Sequence, residues 1–468
     1  MEFRFTGRGM IVARKGRGRS VLVVVSVLLA GVVGWAAVTF GGTWSRSDGE
    51  PMSVIVATWM RDNGMSPIVA QLEDIYYSYV DTAEVGGAPT ISADLAAEDT
   101  AGLSDADIQD EVDAAPVNAP IELTEAQRAA SVPLLLEPRD IRPTPTPTAT
   151  ALGLPTALSR PHLTPPPPIV SPVDDPEPKE GEWQPVATRV DGIPAIYVTR
   201  VRADNVHTSY YASVMWIDTL LTRTMFIPGY EEPSGPNPYD GALPKDLWPD
   251  VLANINGGFR LDDTRGGYYY DGTMVKPLVK GRASAVVYQD GTMTIGRWGR
   301  DLEMTPDVSV VRQNLDLIVD RGVSQVSNGA DNVVWGATTD KESLAWRAAL
   351  GQRKDGSLIY VGSPYLSAEM LADVLVGAGV RRAMVLDMND WWTAGFYFRH
   401  KKNGDPVCRK LDPAISGDCN RFLVPYKRDS FQFLQRAESL TTPSSAATTD
   451  APAILPSSVP QTASSTAP

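Results

Sequence analysis

The chain has 468 residues, with 42 Lys and Arg against 56 Asp and Glu, which gives a formal net charge of −14. This acidic balance argues against a general nucleic-acid binder, because phosphate contacts need clustered basic side chains. The three histidines argue against a His-rich zinc site, and the two cysteines exclude zinc ribbons and iron–sulfur clusters held by this chain alone.

The N-terminal segment predicts a membrane anchor. No charged residue lies in 20–45, and the apolar stretch Val21–Phe40 is long enough to cross ~30 Å of hydrocarbon as a helix. Six basic residues and one acid precede it, so the positive-inside rule places residues 1–19 in the cytoplasm and everything after Trp44 outside. A cleaved signal peptide is the alternative; the length of the apolar stretch favours a single-pass anchor over 20–43 in the cell membrane.

Residues 44–80 predict two short amphipathic helices. Apolar residues recur at helical spacing around Trp59 and again from Ile68 to Tyr76. Gly64 and Pro67 separate the two helices. We expect them near the membrane surface, packed on the following domain or on the anchor.

Residues 81–182 have the composition of a disordered linker. Asp81–Glu125 contains 12 acids and no Lys or Arg, which is typical of a solvated, mobile segment. Residues 133–178 hold 14 prolines and predict an extended, polyproline-like stalk. A ligand of SH3-type domains is the alternative for this stalk, although that partner class is uncommon outside the cell. The tail 437–468 is rich in Ser, Thr and Pro and is also expected to be disordered.

The remaining residues, 183–436, predict an extracytoplasmic α+β domain with a mixed sheet. Ser367 offers an N-cap to a helix whose apolar residues share one face. A buried strand precedes this helix and another follows it, which resembles a βαβ crossover, and the carboxyl end of such a strand often lines a site. Strands are predicted at 194–201, 211–217, 283–288, 292–298, 315–319, 358–361 and 383–386.

The two cysteines predict a disulfide. Cys408 and Cys419 enclose ten residues, and an extracytoplasmic location favours a bond that staples this hairpin or loop. A free nucleophilic cysteine is less favoured, because no histidine follows it.

Two glycine- or arginine-containing segments are candidates for ligand binding. Asn256 precedes Gly257 and Gly258, and paired glycines let the backbone approach a ligand closely while the Asn bonds sugar or phosphate oxygens. Arg347 precedes a predicted strand, and its guanidinium suits a phosphate group. A structural turn and an ion-paired arginine are the respective alternatives.

A third segment carries candidate catalytic residues. Asp387 ends a predicted buried strand and is followed by Asn389, Asp390, Trp391 and Trp392. Carboxylates act as acids, bases or nucleophiles in glycoside hydrolysis, and indole rings stack on sugar faces. A cation site or a packing patch is the alternative.

The order of these motifs resembles the phosphodiester glycosidase family. The matching stretches are Asn256–Phe259, Arg347–Gly351 and Leu386–Asp387, within a resemblance that spans about 251–391. The resemblance implies a hydrolase that cleaves the glycosidic side of a sugar–phosphate diester in envelope glycans and releases a sugar and a phosphomonoester.

The hypothesis that combines this resemblance with the chemistry of the neighbouring residues gives roles to individual residues. Arg347 would bind the phosphate, and Asn256, Gly257 and Gly258 would position the sugar or phosphate oxygens. Asp387 would be the acidic catalytic or orienting residue, assisted by Asn389 and Asp390. Trp391 and Trp392 would contact the glycan. No cofactor is indicated. A divalent cation near the acids remains an alternative, but the sequence has no metal-ligand spacing that predicts one. The expected partners are a glycan or sugar-phosphate and, through residues 20–43, the membrane.

One departure from the family favours an alternative function. The family's LDGGGS stands here as Leu386–Trp391, LDMNDW, so the glycine-rich backbone and its serine are absent. The alternative is a non-catalytic envelope module that binds glycan through the same pocket.

Overall fold

The computed structural model describes residues 17–47, 49–80, 82–104, 107, 160–326, 332–335 and 344–437, without the side chains of 17–29, 74 and 78. The predicted basic tail up to residue 16, linker residues 108–159 and the tail after 437 lie outside the described residues. All elements below belong to the unit Met1–Gln435.

Four helices precede the sheets among the described residues. They are α1 (Arg17–Ser45), α2 (Met52–Asp62), α3 (Ser66–Tyr79) and the short α4 (Ala96–Thr100). The helices α2 and α3 lie where the sequence predicts two short helices. Trp59 of α2 donates an indole hydrogen bond of 2.9 Å to Thr39 of α1 and packs on the ring of Phe40.

The predicted anchor, 20–43, falls within α1. Among helix residues with described side chains, none forms a stretch long and apolar enough to span a bilayer.

The largest sheet of the head, residues 183–435, has eight strands. Its spatial order is β1-β2-β3-β14-β13-β15-β11-β12, and every neighbouring pair is antiparallel. The strands are β1 (Gln184–Val186), β2 (Ile196–Val201), β3 (Ala212–Ile217), β11 (Leu317–Asp320), β12 (Val323–Ser324), β13 (Ala345–Arg353), β14 (Leu358–Leu366) and β15 (Val380–Val385).

Two five-stranded antiparallel sheets complete the head. One has the order β7-β6-β10-β8-β9, from β6 (Tyr268–Tyr270), β7 (Thr273–Lys276), β8 (Ala283–Tyr288), β9 (Met293–Arg297) and β10 (Val308–Gln313). The other has the order β17-β16-β5-β18-β4, from β4 (Thr222–Ile227), β5 (Val251–Asn256), β16 (Gly395–His400), β17 (Pro406–Lys410) and β18 (Ser430–Gln435). The head thus combines helices and strands, as predicted, with several antiparallel sheets. The predicted mixed sheet is wrong for the described residues, because each named strand pairs with its neighbours in the antiparallel sense and β13 lies between the parallel strands β14 and β15.

The predicted crossover is present in modified form. Strands β14 and β15 both pair antiparallel with β13, so they run parallel to each other with β13 between them. Helix α5 (Ala368–Gly377) joins them, and Ser367 caps it by accepting a 3.0 Å hydrogen bond from the backbone of Met370. The seven predicted strands are confirmed within a few residues, as β2, β3, β8, β9, β11, β14 and β15.

The large sheet separates two apolar cores. Along β13, Trp346, Ala348 and Leu350 face the core shared with the third sheet, whereas Ala349 faces the core under α5. Alternation along a strand produces this division. Because β5 belongs to the third sheet, its end lies on the side of the large sheet that Trp346, Ala348 and Leu350 face.

The described part of the acidic segment lies against the head. The acidic strap, residues 84–104, contributes Glu98, whose carboxylate accepts hydrogen bonds of 2.9 and 2.7 Å from the fully buried Arg200. Asp99 pairs with Arg399, and Gln184 bonds the backbone of the strap. The sequence predicts mobility here because these acids have no basic neighbour along the chain; their partners come from the head.

Candidate functional site

Three strand ends and one loop enclose a small cavity. Residue Asn256 ends β5, Asp387 follows β15, and Arg428 and Asp429 directly precede β18. The end of β5 meets the start of β18 because the two strands pair, and Asp387 joins them through a 3.2 Å hydrogen bond from its backbone N–H to the carbonyl of Gly257. The cavity has an empty volume of about 190 Å³ and is lined by Asn256, Gly257, Gly258, Asp387, Trp392, Phe422, Tyr426, Arg428 and Asp429.

Asp387 is a buried carboxyl in this cavity. Its Oδ1 accepts a 3.0 Å hydrogen bond from the backbone of Met388, and its Oδ2 pairs with the guanidinium of Arg428. Burial raises the pKa of Asp387 to about 6, and this effect outweighs the attraction of Arg428, which lowers it. Near neutral pH the group can therefore exchange a proton.

Arg428 joins the carboxylate to an aromatic wall. Its guanidinium lies 4.8 Å from the ring centroid of Trp392, and Lys427 Nζ lies 5.6 Å from the same centroid. Burial alone would lower the pKa of Arg428, but the nearby Asp387 carboxylate raises it. Two cations therefore lie near one indole, and each is paired with a carboxylate, Arg428 with Asp387 and Lys427 with Glu50.

The amide of Asn256 is used inside the protein. Its Oδ1 accepts hydrogen bonds from the Tyr360 hydroxyl at 2.7 Å and from the backbone of Ala394 at 3.2 Å. Its Nδ2 donates to the backbone carbonyls of Gly257 and Asp387, each at 3.2 Å. The side chain thus ties β5 to the segment that carries Asp387, rather than presenting a free amide to a ligand.

Both glycines are required by a buried ion pair behind the turn. Arg312 Nε donates to Asp429 Oδ2 at 2.8 Å, and both side chains are about 1% exposed. A Cβ at position 257 would lie 2.6 Å from Asp429 Oδ1, and one at position 258 would lie 3.0 Å from Arg312 Cζ. Glycine therefore lets the turn approach the pair closely.

The residues after Asp387 build a turn. Asn389 has a φ of 91°, and its side-chain oxygen accepts 3.0 Å hydrogen bonds from the backbone amides of Trp391 and Trp392. Asp390 is exposed. Trp391 packs on the guanidinium of Arg421, which also donates to its carbonyl, so of the two tryptophans the one that lines the cavity is Trp392.

Arg347 lies away from this cavity. On β13 it alternates with Trp346 and Ala348, which face the core shared with the third sheet. Its guanidinium donates to the carbonyls of Leu366 at 2.8 Å and Trp335 at 3.4 Å. Burial lowers the pKa of Arg347 to about 10. Arg347 therefore does not line the cavity, although the residues that flank it, Trp346 and Ala348, accept backbone hydrogen bonds from Asn389 and Leu386.

The N-terminal segment reaches the rim of the cavity. Glu50, just before α2, pairs with Lys427, and Asp62 at the end of α2 pairs with Arg260 at 2.6 Å. Arg61 is near enough to Asp387 to favour the ionised carboxylate. The wall of the cavity is therefore held in place partly by this segment.

The predicted disulfide is absent from the structure. Both Cys408, on β17, and Cys419 are free thiols. The Cys419 side chain hydrogen-bonds that of Cys408; burial raises the pKa of Cys408, whereas the bond from Cys408 lowers that of Cys419. The side chains of Cys408 and Cys419 are close, as their spacing in the sequence suggests, but their sulfur atoms are not at disulfide-bonding distance.

Sequence reasoning missed the half of the site that consists of Arg428 and the Arg312–Asp429 ion pair. Arg428, Asp429 and Arg312 have no motif around them, and isolated charges usually lie on solvated surfaces. The only available signal is position, since Arg428 and Asp429 directly precede an apolar strand.

Within the described ranges, no group of three His, Cys, Asp or Glu side chains is placed to hold a metal ion.

Comparison with known proteins gives distant structural similarities. No protein-family model and no curated protein matches the chain. The catalytic domain of zebrafish N-acetylglucosamine-1-phosphodiester alpha-N-acetylglucosaminidase, auto-inhibited by its pro-peptide, is 16% identical over 55% of this chain and 88% of its own, with a TM-score of 0.35. A hypothetical protein from Synechocystis is 12% identical over 56% of this chain and 64% of its own, with a TM-score of 0.32. Both TM-scores are low, so the chemistry of the site follows from its own residues.

Proposed function

We propose that the chain is a membrane-anchored, extracytoplasmic hydrolase that cleaves the glycosidic side of a sugar–phosphate diester. The observation that carries the proposal is the buried Asp387 carboxyl, with its pKa raised to about 6, against the guanidinium of Arg428. A proton donor beside a cation suits a bond whose leaving group is a phosphate. The motif order described for the sequence agrees with this class of substrate.

The proposed reaction uses the two groups in separate roles. Arg428 binds the phosphate through its charge, and Trp392 packs against the sugar. Asp387 donates its proton to the bridging oxygen as the bond from that oxygen to the anomeric carbon breaks. Water adds to the anomeric carbon, so the products are a free sugar and a phosphomonoester, and a proton from that water restores Asp387.

The location is part of the same proposal. The uncharged segment 20–45, with six basic residues before it, supports an N-terminus in the cytoplasm and a head outside. An envelope glycan is then the accessible source of a sugar–phosphate diester.

The test is sugar release by the full chain. Sugar-1-phosphodiesters, including α-N-acetylglucosaminyl ones, would be incubated with the chain and free sugar followed by mass spectrometry. We expect release to fall at least about 100-fold in Asp387→Asn, the usual scale of general acid catalysis. Asp405→Asn, at the exposed Lys401–Asp405 turn, is the matched control and should retain full release. Equal release by Asp387→Asn and the control would contradict the proposal.

A second candidate is the non-catalytic glycan-binding module. The sequence LDMNDW at Leu386–Trp391 favours it, because the glycine-rich backbone and the serine of the family's LDGGGS are absent beside Asp387. Its signature would be glycan binding by the full chain without release, unchanged in Asp387→Asn.

A further inference from the structure

Helix α3 carries an uncovered apolar stripe. We define the α3 stripe as Ile68, Leu72, Ile75, Tyr76 and Tyr79, whose side chains are 48–81% exposed. At 3.6 residues per turn these five positions fall within an arc of about 100°. All five are uncharged, so the stripe is a continuous apolar surface along the helix.

The rest of α3 explains how the helix is held in place. Val69, just beyond the Tyr76 edge of the stripe, and Tyr77, about 100° further round the helix, are buried. Glu73 accepts two 2.6 Å hydrogen bonds from Arg61 of α2. The helix is therefore already packed through one side, and the α3 stripe is not needed for that packing.

The same helical group contains a second uncovered apolar surface. Residues 30–38 of α1 are uncharged and almost all exposed, on every side of the helix. Trp59 links α2 to this helix through Thr39 and through its ring contact with Trp35, whose centroid lies 6.1 Å away. A helix that is apolar all round is stable in an apolar medium rather than in water.

We propose that the α3 stripe docks on a lipid bilayer, with α3 lying along the membrane surface. This inference rests on the proposed anchoring of the chain, and it adds a second membrane contact on the outer side. A bilayer fits better than a second copy of the chain, because one partner surface would cover one face only, whereas residues 30–38 of α1 are exposed on nearly all sides. Tyr76 and Tyr79 suit the interface, since their rings are apolar and their hydroxyls reach water.

The test places fluorescent labels on the full chain in lipid nanodiscs of phosphatidylcholine and phosphatidylglycerol. Cys408→Ser and Cys419→Ser remove the native thiols, and single cysteines are then introduced as Leu72→Cys or Tyr79→Cys. Gln71→Cys is the matched control, because it is exposed on the same helix but outside the arc. Lys354→Cys, in the exposed β13–β14 turn, reports the head. Circular dichroism confirms that each labelled chain is folded.

The readout is quenching by spin-labelled lipids. A helix immersed by about 5–10 Å should give roughly twofold or more quenching at positions 72 and 79 relative to 71, and none at 354. Quenching at position 72 no greater than at 354 would overturn the proposal. So would crosslinking of Leu72→Cys between two chains without lipid, which would identify a second copy as the partner. The measurement needs no catalytic activity, so it fails or succeeds independently of the proposed reaction.

Discussion

Asp387 is the residue whose ionisation should control the activity of the chain. As a proton donor it acts only while protonated, and its pKa is raised to about 6 by burial. We therefore expect kcat/KM for sugar release to fall as the pH rises through about 6. The measurement is a pH profile of the full chain on the best phosphodiester found. A rate that stays flat between about pH 5 and 8 would remove Asp387 as the donor.

The same shift has a consequence for stability. The unfolded chain loses this proton near pH 3.9, whereas the folded chain keeps it until about pH 6. Between these values the folded state binds more protons, so the free energy of unfolding falls as the pH rises. Above the folded pKa this contribution no longer changes.

Gly257 and Gly258 should differ in their tolerance of a methyl group. Gly257→Ala pushes a Cβ against the Asp429 carboxylate, which Arg312 holds in place. We expect a loss of about 1–3 kcal/mol in the free energy of unfolding. Gly258→Ala meets the far end of the Arg312 side chain at 3.0 Å and should cost less. Urea unfolding compares the two, and an equal loss would mean that Asp429 is free to move.

At the scale of elements, the acidic strap is held partly by the ion pair between Glu98 and the buried Arg200. Arg200 is fully buried and its guanidinium is satisfied largely by Glu98. We expect Glu98→Gln to release the strap, because the buried cation loses its counter-charge. Limited proteolysis of the full chain should then cut within 84–104 at least about tenfold faster than in the parent, the factor that 1.4 kcal/mol produces.

The control for the strap is an exposed acid whose side chain bonds within the strap itself. Asp94 accepts a hydrogen bond from the backbone of Ala96, two residues along the strap. Asp94→Asn should leave the cleavage rate unchanged. Equal acceleration by Glu98→Gln and Asp94→Asn would show that overall negative charge, rather than the Arg200 pair, holds the strap.

Helices and strands are predicted well where a short stretch of sequence carries the signal. The Ser367 cap and the apolar face that follows it predict α5, and period-two or apolar runs predict seven strands that the structure contains. The position of the strap could not be predicted, because Glu98 and Arg200 are 102 residues apart in the chain. A segment of acids without nearby bases has the composition of a solvated one until its partners are known.

At the scale of the whole molecule, only part of the candidate site can be predicted from the sequence. Asp387 is predicted because it ends a buried strand, and strand ends commonly line sites, whereas Asn256 is predicted from the paired glycines that follow it. Arg347 was assigned to the phosphate from its chemistry, while the alternation of β13 directs it away from Asp387. Arg428 and Asp429 join the site through the pairing of β5 with β18, a contact between strands far apart in sequence. Such pairing leaves no local trace.

The position of β18 determines when the protein can become complete during its synthesis. It is the last strand described, yet it lies between β5 and β4 inside its sheet, and Arg428 and Asp429 directly precede it. A chain still on the ribosome, or one cut short by a nonsense codon, therefore has two unpaired strand edges and no finished cavity. Such fragments should be substrates for quality-control proteases. Enzymatic activity should begin only after β18 has been synthesised and has paired with β5 and β4.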